Sequence, residues 1–335
     1  MHTDRLRTSP ANVRVLGRAL GALALAVVLA ACSSAAAGGP GTPAASTSPT
    51  GSATTASASA STRPVTASPK PAPPKPWPGP PAVAGLTWMP VGTGTARGPV
   101  TYLARTDAGA VALLWIDTAA VSFRLVPGLS VPEGSPVTAA DRSPSTWVPR
   151  MVAAFNGGFL LKDSVGGYFY DHQMVRAMKP GYAALEITSD GRLTVGAWGR
   201  DLALTSQTVA VRQNLPLLVD HYQARTSAGD TASTWGIANG GLWSANRSAL
   251  GQLADGSLVY AYGYNVRPAA MSAAMTLVRA REAMMLDMNR SWPGGFVYEH
   301  PASGVTGQRI HPQEWHSASV YYSRFTKDFV AVLLR

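Results

Sequence analysis

Cysteine is nearly absent from this chain: Cys32 is the only one in 335 residues. No internal disulfide can form, so the folded part must stand on burial alone. Charge is also sparse, with 28 Lys and Arg against 18 Asp and Glu. The formal net charge is +10, of which the first 31 residues carry +3 and the stretch 32–84 another +3, leaving +4 for everything after. No stripe of Lys and Arg interleaved with aromatics is present, which excludes a nucleic-acid-binding surface. No apolar run is long enough to span a bilayer as a mature helix, because the N-terminal one covers only residues 19–31. Bulky apolar residues are almost missing between residues 33 and 84, where Ala, Ser, Thr, Pro and Gly dominate. Such a stretch cannot bury enough surface to offset the entropy of ordering it.

What is present begins with a signal. Arg5, Arg7, Arg14 and Arg18 precede the apolar run, and the run ends in Leu29-Ala30-Ala31-Cys32 followed by Ser33-Ser34. This pattern reads as a lipobox, with cleavage before Cys32, a diacylglyceryl group on its sulfur and an acylated new N-terminus. Several acyl chains give durable anchoring, so the expected partner is a lipid bilayer, at the extracytoplasmic face of a bacterial cytoplasmic membrane. Residues 1–31 are then a lipoprotein signal peptide and 32–84 a disordered tether. Its Pro-rich part around Pro69-Lys70-Pro71 favours polyproline II, and its basic residues suit anionic lipid or wall polymer. Residues 85–335 form the globular unit, long enough for one sizeable core.

Strand patterns dominate that unit. Residues 100–105 and 110–117 read as a hairpin across Asp107-Ala108-Gly109, with residues 121–126 continuing it. Residues 183–188 and 193–198 flank Asp190-Gly191, and residues 248–253 and 258–262 flank Asp255-Gly256, two further hairpins. A helix starts at Pro268, and Met271, Met275, Val278, Glu282 and Met285 keep helical spacing on a mostly apolar face. It feeds a short buried strand, residues 283–287, ending in Asp287. The expected fold is α+β: a single domain with a curved, mixed or antiparallel sheet packed by a few helices. Ligands of such folds gather beyond strand ends, which makes Asp287 a site candidate.

Three motifs in order carry a family resemblance: Ala153-Ala154-Phe155-Asn156-Gly157-Gly158-Phe159, then Arg247-Ser248-Ala249-Leu250-Gly251 with Asp255-Gly256, then Met285-Leu286-Asp287. In order and spacing the chain from about residue 100 onward resembles the phosphodiester glycosidases, the family of N-acetylglucosamine-1-phosphodiester α-N-acetylglucosaminidase-like domains. One departure stands out. Where the family commonly has a Gly-rich loop after this aspartate, this chain has Asp287-Met288-Asn289-Arg290-Ser291-Trp292-Pro293-Gly294-Gly295.

The resemblance implies a hydrolase cleaving a sugar-1-phosphodiester of cell-envelope glycopolymers or exopolysaccharide, with a glycopolymer as partner. Such a bond breaks through an oxocarbenium-like transition state, and its phosphate leaves as a stable anion. The chemistry needs anion neutralisation and a carboxylate. Arg247 can hold a phosphate bidentately. Asp287 can serve as general base, as nucleophile, or through a bound divalent cation such as calcium. Asn156 with the amides of Gly157 and Gly158 can form a donor-rich concavity, while Asn289 and Arg324 are further substrate-binding candidates. A non-catalytic wall-polysaccharide-binding module of the same fold is the alternative. Duller roles stay open: Asn156-Gly157 and Asn239-Gly240-Gly241 as turns, Arg247 in a surface ion pair, Asp287 as a turn cap. His311 and His316 flank Glu314, but on a helix they would lie about 140° apart and Pro312 opposes a helix interior, so no metal is assigned there. His221, after Leu217-Leu218-Val219-Asp220, is read as a structural histidine, with pocket lining as its other reading.

Overall fold

The computed structural model describes residues 79–335 except 107–108, 228–229 and 237–242. The signal, lipobox, tether and Asn239-Gly240-Gly241 readings therefore fall outside the described residues. The described strands form three sheets and are numbered in chain order.

The largest sheet runs β1 (Met89–Pro90), β2 (Thr101–Arg105), β3 (Val111–Ile116), β14 (Leu258–Val266), β13 (Ala245–Gln252), β15 (Glu282–Met288), β11 (Leu217–Asp220), β12 (Gln223–Ala224). A second runs β7 (Gln173–Arg176), β6 (Tyr168–Tyr170), β10 (Thr208–Gln213), β8 (Ala183–Thr188), β9 (Leu193–Ala197). A third runs β17 (Thr306–Arg309), β16 (Gly295–Glu299), β5 (Met151–Asn156), β18 (Phe329–Leu334), β4 (Val121–Val126). Every pairing between these strands is antiparallel.

The α+β expectation with one curved sheet is thus corrected: the described domain is mostly β, in three antiparallel sheets. Its α-helices among the described residues are α1 (Ala232–Trp235), a single turn, and α2 (Pro268–Leu277). β15, which follows α2, pairs antiparallel with both β13 and β11. Sheet faces, rather than helices, supply most of the cover. All residues of β3, β5 and β15 are buried, which a strand with one solvated face could not show.

One core lies where the three sheets face each other. Leu114, Leu250, Tyr260 and Leu286 of the first sheet meet Tyr168 and Leu185 of the second and Phe155 and Val330 of the third. The other face of the first sheet packs Trp115, Val259 and Met285 against Met271 and Met275 of α2. Trp147, Tyr321 and Phe329 cover the third sheet's outer face. Each such large apolar side chain contributes about 1.5–3 kcal/mol by leaving water.

The helix is shorter than its periodicity implies. It stops at Leu277, Arg279 turns the chain with φ +59°, and the Ala280 amide bonds back to the Met275 carbonyl at 3.0 Å. Glu282 and Met285, read above on the helical face, therefore belong to β15.

Candidate functional site

Four charged side chains meet at the junction of the sheets. Arg212 sits near the end of β10, Asp287 near the end of β15, and Lys327 and Asp328 immediately before β18. Arg212 Nε donates to Asp328 Oδ2 at 2.9 Å, with neither side chain exposed. Lys327 Nζ donates to Asp287 Oδ2, and these two are almost as fully buried. Two cations and two carboxylates thus compensate one another in a buried interior, where an unpaired charge would cost several kcal/mol. One oxygen, Asp328 Oδ1, is buried without a hydrogen-bond partner.

Asp287 takes further support from the backbone. Its Oδ1 accepts the Met288 amide at 2.7 Å, and its own amide donates to Ser248 Oγ at 3.2 Å. Burial pushes its carboxyl above the usual range, while Lys327, the Met288 amide and Arg212 pull the other way. A register shift between Ser248 and Ala249 on the β13–β15 ladder falls at this point. Asn214 braces the same strand by donating to the carbonyls of Met285 (2.6 Å) and Leu286 (2.7 Å).

The Asn-Gly-Gly motif reaches this centre by backbone approach. Asn156 ends β5, whose partners are β18 and β16, so the motif closes no hairpin. The Gly157 amide donates to the Asp328 carbonyl at 2.9 Å. A methyl group on Gly157 would come within 2.5 Å of the Asp328 carboxyl carbon, and one on Gly158 within 2.9 Å of the Arg212 guanidinium carbon. Close packing against the charge pair therefore requires both glycines. Asn156 itself works as a brace: Oδ1 accepts from the Tyr260 hydroxyl (2.9 Å) and the Gly294 amide (3.2 Å), and Nδ2 donates to the Gly157 carbonyl (3.1 Å).

The loop after β15 covers the cluster. Asn289 Oδ1 accepts the amides of Ser291 and Trp292, both at 2.8 Å, and fixes the turn. Trp292 then lies 5.0 Å from Lys327 Nζ and 6.2 Å edge-on to Phe325. The bulky Trp292 of this loop is the residue that closes over the lysine.

Arg247 and Arg324 are held elsewhere. Arg247 is fully buried and donates to the carbonyls of Val266 (3.1 Å), Trp235 (3.2 Å) and Trp243 (2.9 Å) and to Met288 Sδ (3.0 Å). It therefore forms no surface ion pair, and burial lowers its pKa to about 10. Its neighbour Ser248, on the opposite side of the pleat, is the one that touches Asp287. Arg324 donates to the carbonyls of Pro127 (3.0 Å) and Gly128 and pins two chain segments together.

The structure thus joins Asn156, Gly157, Gly158, Asp287 and Asn289 around one centre and leaves Arg247 and Arg324 outside it. Arg212, Lys327 and Asp328 went unnoticed in the sequence. Their signal was charge directly against apolar strand runs, Val209-Ala210-Val211 before Arg212 and Phe329-Val330-Ala331 after Asp328. The histidine readings divide as well. His311 Nε2 lies 3.1 Å from the Gly109 carbonyl and its ring packs on Tyr262 and Tyr264, whereas His221 is exposed and paired with Asp220.

No family model matches the chain, and no curated protein does. Among solved structures the chain is similar to the catalytic domain of zebrafish N-acetylglucosamine-1-phosphodiester alpha-N-acetylglucosaminidase, auto-inhibited by its pro-peptide. The identity there is 14% and the TM-score 0.44, over 75% of this chain and 88% of that chain. It is also similar to a hypothetical protein from Synechocystis, with 11% identity and a TM-score of 0.37 over 75% of this chain and 62% of that one. A protein from Burkholderia pseudomallei gives 12% identity and a TM-score of 0.29, over 70% of this chain and 75% of that one.

Proposed function

We propose that this chain is a lipid-anchored hydrolase of the phosphodiester glycosidase type, cleaving a sugar-1-phosphodiester of envelope glycopolymers outside the cytoplasmic membrane. The observation that carries this reading is the convergence of Asn156-Gly157-Gly158 and Asp287, two of its three sequence motifs, on one buried centre with two cations and two carboxylates.

The reaction needs a cation for the phosphate and a carboxylate for water or for the anomeric carbon. Lys327 and Asp287 supply them as a pair that neutralises itself beneath Trp292. A phosphodiester arriving at Lys327 takes over its ammonium and frees the Asp287 carboxylate. Burial then makes that carboxylate more basic than an exposed one, which suits a general base. Arg212 stays on Asp328 and keeps the second anion compensated. Arg247, held on carbonyls, takes no part in this scheme.

A second reading, the non-catalytic polysaccharide-binding module, draws on a different observation. Both Asp287 oxygens already accept hydrogen bonds and the residue is only 1% exposed. The two readings separate on turnover. The full chain incubated with N-acetylglucosamine-1-phospho-methyl-mannoside, with and without Ca²⁺, is expected to release free sugar, and Asp287→Asn to release none. Binding of wall polymer without any release would favour the module.

A further inference from the structure

A second polar cluster lies at the other end of β15, built by the β11–β12 turn. Asp220 and Glu282 are cross-strand partners on the antiparallel β11–β15 ladder, so their side chains fall on one face. His221 opens the turn in the left-handed region, φ +49°, and its Nδ1 lies 2.8 Å from Asp220 Oδ1 and 3.7 Å from Glu282 Oε1. One ligand atom from each of the three residues lies within 4.8 Å of the others.

Glu282 is the telling member. It is 1% exposed, and its Oε1 is buried and accepts no hydrogen bond, although Arg281 Nε is 3.6 Å away. Its Oε2 accepts only the His221 amide at 3.3 Å. A buried carboxylate oxygen aimed at an imidazole and a second carboxylate, without a donor of its own, is set up to meet a cation. Arg200 faces the two carboxylates from the Oε2 side of Glu282. Its Nη2 is 2.8 Å from Asp220 Oδ1 and 3.7 Å from Glu282 Oε2, while Nε (2.8 Å) and Nη2 (2.7 Å) also hold Asp201. Its side chain is 43% exposed, so Nη2 can swing away from Asp220 and Glu282 while Nε keeps its bond to Asp201.

We infer that Asp220, His221 and Glu282 form a binding site for a zinc-class divalent cation, with Arg200 as its displaceable plug. Ligand–metal bonds of about 2.0–2.2 Å in a tetrahedron put ligand atoms about 3.3–3.6 Å apart. The two distances to Nδ1 straddle that value, and side-chain rotation that draws the two carboxylates together from within 4.8 Å completes the geometry. An imidazole beside only two carboxylates does not suit calcium, which takes six to eight oxygens. Asp220 and Arg200 also border a cleft of about 470 Å³ lined by Arg225, Thr234 and Trp235, so solvent reaches the Asp220 side of the cluster. The site is independent of the proposed hydrolase chemistry, because it stands on different side chains.

The test is calorimetric titration of the chelator-stripped full chain with Zn²⁺, paired with melting curves. One ion per chain and a raised Tm are expected. Glu282→Gln and His221→Ala should each weaken binding by about tenfold or more, and Arg200→Ala should tighten it several-fold. The Arg200 variant keeps the test decisive, since tighter one-to-one binding together with an intact melting transition is not an effect of misfolding. Absence of one-to-one binding, unchanged affinity in Glu282→Gln, or no gain in Arg200→Ala would each overturn the site.

Discussion

Lys327 has two neighbours that define it, the Asp287 carboxylate it donates to and the Trp292 ring 5.0 Å from its ammonium. Removing the cation alone leaves a buried carboxylate uncompensated. Lys327→Met is therefore expected to cost about 3–5 kcal/mol in urea unfolding, whereas replacing both partners by neutral groups is close to neutral. Asp141 shows the opposite balance. Burial alone would raise it, but Arg124 (2.6 Å), two bonds from Thr138 (2.8 Å each) and the Tyr170 hydroxyl (2.8 Å) hold its carboxyl below its ordinary 3.8. A carboxyl with a folded value below its unfolded one stabilises above the unfolded value and loses that contribution as the pH falls through the folded one. Asp141→Asn should lower stability at neutral pH by about 1.5–3 kcal/mol and flatten the loss of Tm below about pH 4. An unchanged acid limb in that variant would refute the assignment. Charges such as Lys327 and Asp328 were illegible in the sequence because adjacent opposite charges ordinarily mark a solvated surface, and only the fold puts them inside.

Among elements, hairpins were the legible ones. The β8–β9 and β13–β14 pairs form around Asp190-Gly191 and Asp255-Gly256, where alternation and turn chemistry are both local. The end of α2 was not legible, since a left-handed Arg279 breaks a periodicity that continues in the letters. The Asn-Gly-Gly motif was legible as special, and the fold adds why: its glycines admit the Asp328 and Arg212 side chains, and the Gly157 amide is engaged by Asp328. Gly157→Ala should destabilise by about 1–3 kcal/mol on thermal unfolding, because a carboxyl pinned by Arg212 cannot yield. A stable Gly157→Ala protein would contradict the close packing. The loop after β15 hangs on Asn289, whose Oδ1 holds two amides. Asn289→Ala is expected to speed hydrogen exchange at Ser291 and Trp292 while leaving β15 protected; unchanged exchange there would show that the ring contacts alone hold the loop.

At the scale of the molecule, the site exists because distant segments pair. β13 and β15 align Ser248 with Asp287, and β18 joins β5 to bring Lys327 and Asp328 under the glycines. Such contacts leave no periodic trace, which is why a family resemblance could order the motifs while Arg247 still fell outside the cluster. It is also why an α+β reading gave way to three antiparallel sheets, since strand order is a non-local property. The account's central claim is that the buried Asp287–Lys327 pair works on a phosphodiester and is more than a structural bond. The most direct measurement is sugar release by the full chain carrying Asp287→Asn with Lys327→Met, a variant whose neutral pair preserves burial. The account predicts a Tm close to that of the original chain and no turnover of N-acetylglucosamine-1-phospho-methyl-mannoside, against measurable release by the original. Release at the original rate from the folded double variant would contradict it.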